Sequence, residues 1–293
     1  MEGHEQGVRL PRYRRHRFRK PAFALQARDT EIIRVVSQHR FIASDDLRLL
    51  IGGSDQGLLR RLQRLFQHGY LDRPRIQQVR GNAPMIYALG QNGAELLAEG
   101  GSRVVKDWSE KNRQVRLRYL EHALMVSRFQ TALRHAESSG LVRVERWLPD
   151  GAITAAVRVE RHDRTTRIPI RPDAFVVLRT LGDAAGRIHC CLEADRSTMP
   201  LDRFEAKLHG YWHWWRSGQA EELLGMRNFL VVTVTRSPER ARHLLEACRA
   251  VSDRGLRMFL FADESTFLPA QSGAVLKSIW STPSDRHRHS LLE

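Results

Sequence analysis

The order of hydrophobic periods along the chain limits its fold more than any single motif does. Three short stretches with helical spacing come first, followed by two strand-like runs and one long helix; beyond residue 140 strands dominate, with helices between the later ones. A chain of 293 residues with 42% hydrophobic content can fill a core in each part. Two domains of different class are therefore expected, with a boundary near 100 to 112, where a Gly-Gly pair interrupts the pattern.

In the first part, "DTEIIRVVSQH" places Ile32, Ile33 and Val36 on one helix face, with Asp29 or Thr30 as N-cap. "SDDLRLLI" reads as a second helix capped by Ser44. In "SDQGLLRRLQRLFQHGYL" the residues Leu58, Leu59, Leu62, Leu65 and Phe66 form a buried stripe, and Gly69 ends the helix. "YLDRPRIQQV" and "MIYALG", joined by "RGNAP", then read as two strands and a tight loop. Three helices and a two-stranded wing describe a winged helix-turn-helix over residues 25 to 100. The polar side of its third helix carries Gln56, Arg60, Arg61, Gln63, Arg64 and Gln67, side chains able to reach base edges and phosphates in a major groove. The alternative is a solvated helix face used for protein contacts.

Charge favours DNA. The formal net charge of +15 points to a polyanionic partner. Residues 9 to 20 alone hold Arg9, Arg12, Arg14, Arg15, Arg17, Arg19 and Lys20 with no acid. Such a segment cannot bury itself, so residues 1 to 24 are expected to form a mobile basic arm, either a phosphate-contacting one that includes Arg14, Arg15 and Arg17 or a solvated tail without a specific role. No stretch approaches the length of a membrane span and the N-terminus lacks a signal-peptide core, so a cytoplasmic protein without membrane attachment is expected. Cys190, Cys191 and Cys248 lack metal-ligand spacing and read as buried thiols.

The second part, residues 112 to 280, opens with the helical "RQVRLRYLEHALMVSRFQTALRHAES" and continues with strands at "LVRVERWL", "ITAAVRVER", "DAFVVLR", "IHCCLEA", "NFLVVTVT" and "LRMFLFA". Helices at 200 to 216 and 237 to 252 separate the later ones. This is a mixed α/β sheet flanked by helices, with residues 281 to 293 as a frayed tail. Asp173 opens one strand and Glu193 and Asp195 close the next; strand alternation puts Glu193 and Asp195 on one face. If the two strands pair, three carboxylates converge, a cluster suited to Mg²⁺ or Mn²⁺. Lys207 and Tyr211 follow one turn apart on the next helix. The same acids, before "RST", also suit a turn and a helix cap. His209 and His213 offer a weaker metal pair, and Phe204, Tyr211, Trp212, Trp214 and Trp215 suit a core or a base-stacking platform.

In its order of parts the chain resembles the replication-relaxation family of plasmids and other mobile elements. The likeness rests on "YLEHALMVSRFQTAL", "RPDAFVVL" and "LEADRSTMPLDRFEAKLHGYWHW". The family's acid-x-Asp-x-x-Thr run with its helical Lys and Tyr falls on Glu193, Asp195, Thr198, Lys207 and Tyr211, and its upstream His on His122. The second domain also looks like the PD-(D/E)xK, restriction-endonuclease-like fold: Pro172 and Asp173 match its Pro-Asp and Glu193 its second acid. Asp195 stands where that fold ordinarily has Lys, a role Lys207 could take from the helix, with Glu121 as an extra acid. The resemblance implies a DNA-binding protein of a mobile element, engaged in replication or transfer. Asp173, Glu193, Asp195 and Lys207 would form a Mg²⁺- or Mn²⁺-dependent endonuclease or nickase site. The alternative is a non-enzymatic regulator whose second domain serves dimerisation, as a homodimer, or contact with a partner.

Overall fold

The computed structural model describes residues 13–15, 23–76, 83–98, 108–161, 164–182, 185–197, 199–251, 256–267 and 273–293. The chain divides into two compact units, Met1–Ser127 and Arg128–Glu293.

In the first unit, helices α1 (Ala27–Ser37), α2 (Ser44–Ile51) and α3 (Asp55–Gln67) surround a three-stranded antiparallel sheet of β1 (Ile42–Ala43), β2 (Leu71–Asp72) and β3 (Ile86–Leu89), with β3 in the middle. The helices form where expected because Ile32, Ile33, Val36, Leu47, Leu58, Leu62 and Leu65 recur on one face and meet in a single buried cluster. Leu59 departs from the expected stripe: it is 36% exposed, one position round from the buried face. Helix α1 starts at Ala27, earlier than the expected cap, and Asp29 accepts instead from the Gln26 backbone N–H at 2.8 Å. Two short helices follow, α4 (Gln91–Ala98) and α5 (Trp108–Arg113).

The dividing point falls inside α6 (Leu117–Ala136), downstream of the Gly-Gly pair, which lies outside the described residues. Leu120, Ala123 and Leu124 of α6 are buried with Phe41, Ile86 and Ala88 in the first unit, so the start of the helix serves that core. In the second unit Phe129 lies edge-on to Phe267 and Trp280.

The second unit is built on a seven-stranded mixed sheet. Its strands are β4 (Val142–Pro149), β7 (Ala174–Thr180), β8 (Arg187–Asp195), β9 (Leu230–Thr235), β10 (Phe259–Asp263), β11 (Trp280–Ser281) and β12 (Arg288–His289). The order across the sheet is β12-β11-β10-β9-β8-β7-β4, with β8, β9 and β10 parallel and the flanking pairs antiparallel. Helix α7 (Leu201–Arg216), the short α8 (Gln219–Leu224) and α9 (Pro238–Arg249) follow β8 and β9 as crossover connections require. The expected α/β class thus holds.

Two expectations fail here for packing reasons. "ITAAVRVER" does not join the sheet: β5 (Ala155–Arg161) pairs with β6 (Arg164–Ile170) in a separate hairpin. Its Val157, Val159 and Ile170 bury with residues of α7, and α7 comes so close that a Cβ on Gly210 would lie 2.7 Å from Ile168 Cγ2. The expected frayed tail is also ordered, since β11 and β12 extend the sheet and Leu291 is buried.

One sheet face, carrying Phe175, Cys191, Val231, Phe259 and Phe261, packs against Phe204, Leu208, Tyr211 and Trp214 of α7 and Leu244 and Cys248 of α9. The aromatics Phe204, Tyr211 and Trp214 are therefore core residues. The three cysteines are free and buried, and burial pushes the Cys190 thiol up to about 12. No described helix is long and apolar enough to cross a membrane.

Candidate functional site

Alternation along β8 puts Cys191, Glu193 and Asp195 on the face toward α7 and α9, and the antiparallel register Ala174↔Leu192 brings the start of β7 beside Glu193. Asp173 is fixed there by two bonds across the strand pair: its N–H donates to Leu192 O at 2.9 Å and its Oδ2 accepts from the Ala194 N–H at 2.8 Å. Helix α7 then supplies Lys207 and Tyr211, four residues apart on one face. Lys207 Nζ pairs with Glu193 Oε2, and the Tyr211 hydroxyl donates to Oε1 at 2.5 Å. Asp173, Glu193, Lys207 and Tyr211 thus come together as expected from the spacing.

Glu193 is 3% exposed. Burial lifts its carboxyl to about 7, assisted by the charge of Asp173, while Lys207 and the Tyr211 hydroxyl pull the other way. Burial alone would lower the Lys207 ammonium, but the charges of Glu193 and Asp173, the hydrogen bond to Glu193 and the charge of Asp150 outweigh it and hold the group above the usual lysine value. Burial, reinforced by Glu193, pushes the Tyr211 phenol far up, so it stays a donor. Beside Glu193 in register is Thr233, fully buried, whose hydroxyl has no hydrogen-bond partner among the described residues.

Asp195 is placed differently. Its Oδ2 accepts from Arg240 Nε and a terminal guanidinium nitrogen at 2.9 and 2.8 Å, and its Oδ1 from the Ser197 N–H at 2.6 Å. Arg240 also donates to Met199 O at 2.7 Å, so it ties the end of β8 to the loop before α7. Ser197 adopts φ +60°, a left-handed conformation uncommon for a residue with a side chain. Arg240 was not foreseen: its segment, "SPERARHLL", is an ordinary capped amphipathic helix, and only the fold carries it to Asp195. Thr198 lies outside the described residues, and His122 and Glu121 belong to the first unit. His209 Nε2 sits 3.6 Å from Glu205. Among the described residues no group of three or more His, Cys, Asp or Glu side chains is placed to hold a metal ion. The donor set facing the β7–β8 edge is two carboxylates, Asp173 and Glu193, compensated by one lysine.

On α3 the residues read as a recognition face divide into two sets. Gln56 and Arg60 are exposed and Arg64 is half-buried; Arg60 and Arg64 have no ion-pair partner among the described residues. Arg61 instead grips the fully buried Asp29 through two nitrogens and lies over the Phe23 ring at 4.7 Å. Gln67 is buried and donates to Arg14 O at 2.9 Å. Arg15 donates to Phe66 O at 2.9 Å and Leu71 O at 3.0 Å and pairs with the buried Asp72. Residues 13–15 are therefore docked on the first unit, with Arg14 exposed. Arg17 lies outside the described residues.

The family model described as Replication-relaxation matches residues 33–228. No curated protein and no solved structure matches the chain significantly.

Proposed function

The chain belongs to the replication-relaxation family, and from that premise we propose that it binds double-stranded DNA of a mobile element and cleaves one strand during replication or transfer. In this reading the first unit is a winged helix-turn-helix whose α3 offers Gln56, Arg60 and Arg64 to the major groove or its phosphates, with Arg14 adding a basic contact. Arg61 acts indirectly, by holding α3 against α1 through Asp29.

The second unit carries the chemistry. The single observation behind this half is the meeting of Asp173 and Glu193 on adjacent strands with Lys207 reaching Glu193 from the following helix. Asp173 and Glu193 would hold Mg²⁺ or Mn²⁺, which when bound polarises a phosphodiester oxygen and lowers the pKa of a water. Lys207 keeps the Glu193 carboxylate compensated in a buried setting and presents a cation beside the scissile phosphate. Tyr211 holds the second oxygen and fixes the carboxylate plane. Asp195, neutralised by Arg240, shapes the loop before α7 in place of binding the ion.

The test is incubation of supercoiled plasmid with the protein and Mg²⁺ or Mn²⁺, alongside Asp173→Ala and Glu193→Ala. Nicked circles are expected with the parent and neither variant. Nicking that persists in both variants would move the site elsewhere, and intact DNA binding without nicking in the parent would favour the non-enzymatic regulator.

A further inference from the structure

The open end of the same sheet has no role in this reading. Next to α8, strands β4, β7 and β8 enclose a cavity of about 650 Å³. Its floor is apolar, made by Leu148, Phe175 and Val177, and Leu224 and Met226 wall one side. The His189 ring lies nearly parallel to Phe175, with centroids 6.3 Å apart and planes inclined by 14°.

Around this floor the charge is one-sided. Arg143 of β4 is in register with Arg179 of β7, and Arg179 with Arg187 of β8, so three exposed arginines cross three neighbouring strands in one row. Alternation places Arg179 on the same face as Val177 and Phe175, and Arg146 lines the cavity itself. Like charges directly opposite on adjacent strands destabilise a sheet. Among the described residues Glu145 is the only acid lining the cavity, and it is engaged by Arg187 at 2.6 and 2.8 Å. Arg143, Arg146 and Arg179 have no ion-pair partner among the described residues.

We propose that this groove binds a single-stranded nucleic acid, with a base laid on the apolar floor beside His189 and backbone phosphates on Arg143, Arg146 and Arg179. An apolar concavity is of no use to a duplex, whose bases already stack within it, whereas an unpaired strand offers flat apolar faces and phosphates together. Charge alone would accept any polyanion; the flat floor selects one with rings. His189 and Glu193 lie four residues apart on β8, about 13 Å at the rise of a strand. A strand released at one end would therefore pass the other. Binding in the groove does not require cleavage, so the two ideas can fail separately.

The test is fluorescence anisotropy of a labelled dT12 oligonucleotide with the full chain and no divalent cation, beside a duplex of the same length. Arg146→Ala with Arg179→Ala should weaken dT12 binding about tenfold and reduce its salt slope by about 1.4, two phosphate contacts on a single strand. Duplex affinity should stay within twofold. Leu223→Asp, at a 54% exposed residue lining the groove, should weaken dT12 binding with an unchanged melting temperature. Unchanged dT12 affinity in the arginine variant, equal losses for single strand and duplex, or indifference to Leu223→Asp would overturn the proposal. So would a polyglutamate peptide that competes as well as unlabelled dT12.

Discussion

On α3 of the first unit, Arg60 stands exposed with no ion-pair partner among the described residues, whereas on β8 of the second unit Glu193 is buried with a partner on each carboxylate oxygen. The first arrangement costs the fold little, because an exposed guanidinium keeps its water until a polyanion replaces it. The second costs desolvation that Lys207 and Tyr211 must offset. A surface of unpaired cations is suited to holding a long anion. A buried, compensated acid is suited to acting on one group at one place, because its geometry is set before anything binds. The contrast repeats inside α3, where Arg61 is bound into the fold and its neighbour Arg60 is left to solvent.

The largest effect that would break this contrast is on the cleavage proposed for the second unit. Glu193→Gln should lower plasmid nicking more than a hundredfold while leaving duplex affinity within twofold, measured by gel and by anisotropy. Next in size is a stability difference inside α3. Arg61→Ala leaves Asp29 buried without its partner and should destabilise the first unit by about 3 kcal/mol, whereas Arg60→Ala should stay within about 0.5 kcal/mol. Urea unfolding checks both, and equal losses would erase the distinction between the two arginines. Arg60→Ala combined with Arg64→Ala should weaken duplex binding about tenfold and lower its salt slope by about 1.8, two contacts on B-DNA; an unchanged slope would remove α3 from the interface.

The smallest effect concerns pH. In the proposed role Glu193 would have to be ionised to hold a cation, and burial lifts its carboxyl to about 7. Nicking should therefore rise through about pH 7 and level off above it. A hydrogen bond donated to a carboxylate favours its ionised form, so Tyr211→Phe should raise the carboxyl further and move this limb to higher pH. A limb that stays in place or moves down would contradict the role given to Tyr211.

How much of this was legible in the sequence depends on whether local pattern or long-range packing decided it. The helices of the first unit follow from the spacing of Ile32, Ile33, Val36, Leu58, Leu62 and Leu65, because one buried face is enough to specify a helix. The mixed sheet followed from the order of its strands, and Glu193 with Lys207 and Tyr211 from alternation followed by a helical turn. The β5–β6 hairpin could not be told from a sheet strand, since Val157 and Val159 alternate identically whether they face a sheet partner or α7. The pairing of Asp195 with Arg240 was not legible, because the two are 45 residues apart. Arg61 and Arg60 are chemically the same residue in the sequence; only the position of Asp29 on α1 separates them.

The contrast between Glu193 and Asp195, two acids on one face of one strand, carries the central claim, and supercoiled plasmid with Mg²⁺ or Mn²⁺ tests it with a single pair of variants. Glu193→Gln should give no nicked circles, while Asp195→Asn, whose single amide oxygen can still accept from Arg240 at the cost of the Ser197 N–H bond, should keep nicking within about tenfold of the parent. Nicking retained in Glu193→Gln and lost in Asp195→Asn would contradict the account.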